Sequence, residues 1–91
     1  MMNVAGTAEA VSVACDPFTG RPRTIRLGTQ QMPVLAIERV REESAAYPLE
    51  RGPRTLFVVQ TPWNRVRLSF EHRSRRWMMD GMEPRSESLA A

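Results

Sequence analysis

The sequence predicts an all-β protein built on an antiparallel meander, and three observations carry that prediction. Residues 64 to 71 (NRVRLSFE) alternate strictly: Val66, Leu68 and Phe70 point to one side, and Arg65, Arg67, Ser69 and Glu71 to the other, which describes a strand with one wet face. Residues 55 to 61 (TLFVVQT) are rich in β-branched and aromatic residues and apolar at both parities, the pattern of a central strand covered on both faces. Finally, three apolar runs follow one another from Arg54 to Asp80 across only two short, turn-like breaks.

Side-chain logic sets the register of this meander. Pro62 cannot take the positive φ of a primed two-residue turn, so Gln60 to Arg65 reads as a wider loop that pairs Val59 with Val66 and Phe57 with Leu68. Across the second break (His72-Arg73-Ser74-Arg75), pairing Glu71 with Arg76 sets Phe70 opposite Trp77, Leu68 opposite Met79 and Arg67 opposite Asp80. A slip of one residue would turn Trp77 to water.

The rest of the chain adds strands to this unit. Residues 1 to 7 are small and aperiodic, so they are expected to fray. Ala8 to Cys15 alternates with Val11, Val13 and Cys15 inward, which makes Cys15 a packing residue. The stretch Asp16 to Pro22 is dense in turn formers. Arg23 to Leu27 alternates again, with Ile25 and Leu27 inward, and Gly28 to Gln31 reads as the next break. Met32 to Glu43 supports two readings. In one it is a strand with Leu35 and Ile37 inward and a bulge at Glu38-Arg39 that returns Val40 to the same face. The alternative is an α+β fold with a helix over about 33–47, in which Val34, Ile37, Val40, Ser44 and Tyr47 fall at helical spacing. Ser44 to Pro53 is a long connection whose Tyr47 and Leu49 are placed to cover Leu56 and Val58. Residues 83 to 91 form a polar tail, leaving a single domain over 8–82. Five or six strands of this kind curl into an SH3-like or partly open barrel.

Composition excludes several functions. At 91 residues, with 42% hydrophobic and 25% charged residues, the chain is one small globular domain with a thin core, for which self-association or a partner adds stability. One Cys and one His rule out an intrachain disulfide and any metal site built only from three or four such ligands. His72 sits among Arg73, Arg75 and Arg76 with no triad spacing, Glu42-Glu43 point to opposite faces of a strand, and the five glycines are dispersed. No enzyme and no cofactor are therefore expected, an enzyme of unknown class being the distant alternative that a deep pocket lined by Asp16, Glu38 and His72 would revive. No apolar run spans a bilayer and no leader pattern opens the chain, so a cytoplasmic protein without a membrane partner is expected.

One constellation rises above this background, and it is basic. All 13 basic residues are Arg, and residues 51 to 76 carry seven of them against Glu71 alone. With Arg67 and Arg76 assigned to Asp80 and Glu71, the remaining guanidiniums of Arg54, Arg65, Arg73 and Arg75, with Trp63 as a stacking platform, outline a surface for single-stranded nucleic acid. The competing site is apolar: Leu56 and Val58, with Tyr47 and Leu49, as a contact for a protein partner.

The turn with Gly20-Arg21-Pro22, the two strands after it, and Val66-Arg67-Leu68-Ser69-Phe70-Glu71 leading through an Arg-rich turn to Arg76-Trp77-Met78 resemble a bacterial family of small domains of unknown function. Its members occur beside or within Y-family DNA polymerase and mutagenesis-cassette proteins. The resemblance covers roughly residues 9 to 82 and implies a strand over Met32 to Glu43, although Pro33 and the scarcity of aromatics there depart from the family pattern. It implies a non-catalytic interaction module in bacterial DNA metabolism, acting through protein contact with a polymerase or repair component.

Overall fold

The computed structural model describes residues 8–43 and 52–84. Seven strands occupy them: β1 (Glu9–Cys15), β2 (Pro22–Leu27), β3 (Gln30–Pro33), β4 (Ala36–Glu43), β5 (Arg54–Gln60), β6 (Asn64–Glu71) and β7 (Arg76–Pro84). All pairs are antiparallel, in the order β3-β2-β1-β7-β6-β5-β4. The sheet curls into a half-barrel. No helix lies among the described residues, so the helical alternative for 33–47 is overturned wherever it can be seen, through Glu43. Tyr47 and Leu49 fall outside the described residues.

The predicted registers of the meander hold except at Arg67. Phe57 pairs with Leu68 and Val59 with Val66, while Glu71 faces Arg76, Phe70 faces Trp77 and Leu68 faces Met79. The wide loop after β5 is braced by Thr61, whose buried hydroxyl accepts the N–H groups of Asn64 at 2.9 Å and Trp63 at 3.1 Å. Those bonds satisfy donors that Pro62 leaves without a turn partner.

Three extra residues bend the strands. Glu38 bulges from β4, as expected, and Val40 returns to the inner face opposite Phe57. Arg23 bulges from β2, so that Cys15 faces Pro22. Asp80 bulges from β7, and this corrects the expected Arg67–Asp80 pair: Arg67 faces Gly81 instead. Its guanidinium lies where a side chain at position 81 would stand, since a Cβ there would come within 2.7 Å of Arg67 Cζ.

The strand count rises to seven because Gln30 and Gln31 belong to β3 rather than to a break. The break itself is the two-residue turn Gly28-Thr29, with Gly28 at φ 63°, a sign of φ that costs glycine nothing. The expected single strand from Met32 to Glu43 divides at Val34-Leu35. There the Val34 N–H bonds to Arg23 O at 2.8 Å and the Leu35 N–H to Gln60 O at 2.7 Å. Leu35 was expected inward but is exposed on this corner. β7 runs to Pro84, two residues past the expected boundary.

Ile25, Met32, Val59, Val66, Leu68 and Met79 form the buried core, with Val11, Val13, Leu27, Val34, Ile37, Phe57 and Trp77 packed against it. Trp77 thus faces the interior, as its register requires. Cys15 does point to the concave side, yet it is exposed, because the sheet is splayed at its end of β1. The outer face of β5 is also less covered than expected, with Leu56 and Val58 only half-buried.

Arg75 closes the β6–β7 turn at φ 59°, the one described non-glycine residue with positive φ. Such a conformation costs an L-residue about 1–2 kcal/mol, against about 0.5–1 kcal/mol of extra chain entropy for glycine. Arg75→Gly is expected to stabilise the protein by about 0.5–1 kcal/mol and raise Tm by a few degrees. A lowered Tm in a thermal melt would show that the turn is not strained.

Candidate functional site

Cross-strand rows organise the outer face of β4–β7, because register partners present their side chains on the same side of a sheet. One row runs Glu43–Arg54–Glu71–Arg76 and alternates in charge. The next runs Arg41–Leu56–Ser69–Met78 and contributes Leu56 and Met78 as apolar surface. The third runs Arg39–Val58–Arg67–Gly81 and places two guanidiniums around one valine with no carboxylate in register.

The rows enclose a groove of about 610 Å³. Leu56, Val58 and Met78 contribute its apolar surface, and Arg39, Arg41, Arg54 and Arg67 its positive charge, with Asp80 as the one acid in the lining. Arg54 is shared between Glu43 (3.2 Å) and Asp80 (3.8 Å), and Arg41 meets Glu43 at 2.8 Å. Arg39 and Arg67 make no ion pair among the described residues and are exposed. Beneath them Ser69 is only 1% exposed, and its hydroxyl has no hydrogen-bond partner among the described residues.

The expected nucleic-acid residues do not converge. Trp63 is 54% exposed on the β5–β6 loop, but its neighbour Arg65 is engaged by Glu38 at 3.2 Å and Glu83 at 3.5 Å. Arg73 and Arg75 stand at the other end of β6, about 25 Å away at ~3.3 Å per residue. Arg54 joins the groove instead. Leu56 and Val58, expected as a partner contact, do lie together in it. Sequence reasoning missed Arg39 and Arg41. The Glu38 bulge was the available signal, since it fixes which of their neighbours turn inward and so puts both arginines outside.

Little supports acid–base chemistry. His72 Nε2 lies 2.7 Å from the Thr55 hydroxyl and the ring meets Phe70 edge-on, but no described carboxylate holds the other ring nitrogen, as an activated hydroxyl would require. Among the described residues no group of three His, Cys, Asp or Glu side chains is placed to hold a metal ion.

Glu43 sets the electrostatics of the groove's charged end. Desolvation pulls its pKa up, but hydrogen bonds from Arg54 and Arg41 outweigh that and hold it below the ordinary glutamate value. A folded pKa below the unfolded one contributes stability that is present above about pH 4.3 and lost as pH falls through the lowered folded value. Glu43→Gln is expected to flatten this part of the acid limb in denaturant melts between pH 5 and 3. An unchanged pH dependence would remove Glu43 from that role. No family model, curated protein or solved structure matches the chain, so the surface itself carries the functional reading.

Proposed function

We propose that the protein is a non-catalytic interaction module, and that its working surface is the arginine-flanked groove on the outer face of β4–β7. The partner is a protein segment carrying both acidic and apolar side chains. One observation supports this above others: Arg39 and Arg67 bracket Val58 with no ion pair among the described residues while an apolar floor continues beside them. Arginine serves well at such surfaces because its weakly hydrated guanidinium packs on apolar groups and grips carboxylates in bidentate fashion.

Strand addition is the weaker route for a partner. The free edge of β4 is bulged at Glu38 and dense in charge (Glu38, Arg39, Arg41, Glu42, Glu43), and the other edge, β3, spans four residues and ends at Pro33. Both devices blunt an edge against pairing. A polymerase or repair component in bacterial DNA metabolism, the setting implied by the sequence resemblance, is the partner class to try first.

The exposed ring of Trp63 favours a second reading, single-stranded nucleic acid, and one experiment separates the two. Fluorescence anisotropy is measured with a labelled 12-residue peptide of alternating Glu and Leu and with a labelled 12-mer of deoxythymidine. The peptide is expected to bind, and the double variant Arg39→Glu/Arg67→Glu to weaken it at least tenfold, while Trp63→Ala leaves it unchanged. If the oligonucleotide binds instead, with affinity falling steeply with salt and lost in Trp63→Ala, the nucleic-acid reading replaces this one.

A further inference from the structure

The concave side of the half-barrel carries a second cavity, unrelated to the arginine groove. At one end the Val34-Leu35 corner joins β4 to β2, through the Val34 N–H bonded to Arg23 O. At the other end Cys15, Thr19, Gly20 and Arg21 of the β1–β2 hairpin face Val40 and Glu42 of β4 across an opening of about 580 Å³. Its floor is aromatic. Phe57 and Phe70 flank Trp77 at centroid distances of 5.4 and 5.0 Å with tilted planes, and His72 extends the row from Phe70.

These rings are only half-buried, and Val40 on the opposite bank is 51% exposed. In a closed barrel of this topology the same side chains would be core. Here apolar surface lines a concavity within the ~300–1,000 Å³ range typical of small-molecule sites. Its polar groups are few and balanced: Arg21 and Glu42 oppose one another in charge, and the Thr55–His72 pair offers one hydrogen-bonding point. The blunted edge of β4 disfavours a peptide strand as the occupant.

We infer that this mouth is a binding site for a small, neutral, planar aromatic molecule, which seats against Phe57, Phe70 and Trp77 beneath Val40. Offset or tilted ring packing supplies affinity without demanding charge. The balanced rim excludes strongly ionic ligands, in contrast to the outer groove. Cys15 stands beside the site as a reporter. It is exposed at the rim, yet desolvation by its surroundings pushes its thiol pKa up, so it reacts slowly at neutral pH.

The test uses the full chain carrying Trp63→Phe, which leaves Trp77 as the one tryptophan of the two in the sequence. The probe is the neutral fluorophore N-phenyl-1-naphthylamine. Saturable 1:1 energy transfer that quenches Trp77 emission at least twofold is expected, together with a several-fold slower alkylation of Cys15 by N-ethylmaleimide at pH 8.5. Adding Val40→Arg is expected to weaken probe binding at least tenfold. The proposal is overturned by absence of energy transfer, by binding indifferent to Val40→Arg, or by Cys15 reacting at an unchanged rate under saturating probe. Should Val40→Arg unfold the chain, Cys15 protection in the Trp63→Phe protein decides alone.

Discussion

Two successive amides hold the architecture together. Val34 donates to β2 and Leu35 donates to β5, and these strands lie on opposite flanks of one curled sheet. Where they are joined, Met32 and Ile25 close over Val59 and Val66 to make a dry core. Where nothing joins them, the sheet splays and apolar side chains line a mouth.

The same curl separates two chemistries. Alternation along β5 sends Thr55, Phe57 and Val59 inward and Arg54, Leu56 and Val58 outward. The inner side therefore collects rings and methyl groups, and the outer side collects guanidiniums around a short apolar strip. Bulges adjust both sides. Without the Glu38 bulge, Val40 would face out and Arg39 and Arg41 would face in, an arrangement that would bury charge without partners. The Asp80 bulge frees Arg67 from a carboxylate in register and lets Asp80 reach Arg54. Gly81 then offers the space that the Arg67 side chain crosses.

Much of this was legible in the residues wherever neighbouring strands are joined by short turns. Trp77, Phe70, Leu68 and Met79 had only one register that turned all four inward, and the Glu38 bulge follows from the need to return Val40 to the face of Ile37. The corner at Val34-Leu35 was not legible, because the Leu35 N–H reaches Gln60, far along the chain, and no local pattern encodes that contact. That gap explains the misplacement of Leu35 and of Cys15, whose inward direction was right but whose end of the sheet is open. It also explains the candidate site. The arginines of β4 reach those of β5 and β6 only through the β4–β5 pairing, which no short turn announces in the sequence. Asp80 misled for another reason: one extra residue in β7 shifts its partner, and charge complementarity alone made the unbulged pairing look right.

The half-barrel depends on the corner between β3 and β4, and native-state amide hydrogen exchange tests that corner most directly. The amides of Val34 and Leu35 are expected to be protected to nearly the same free energy as the central β5–β6 ladder, because both are closed by short hydrogen bonds beside the core. Exchange of either amide at the rate of an unstructured peptide would mean that the sheet is not tied there, and the half-barrel with its two separate faces would be contradicted.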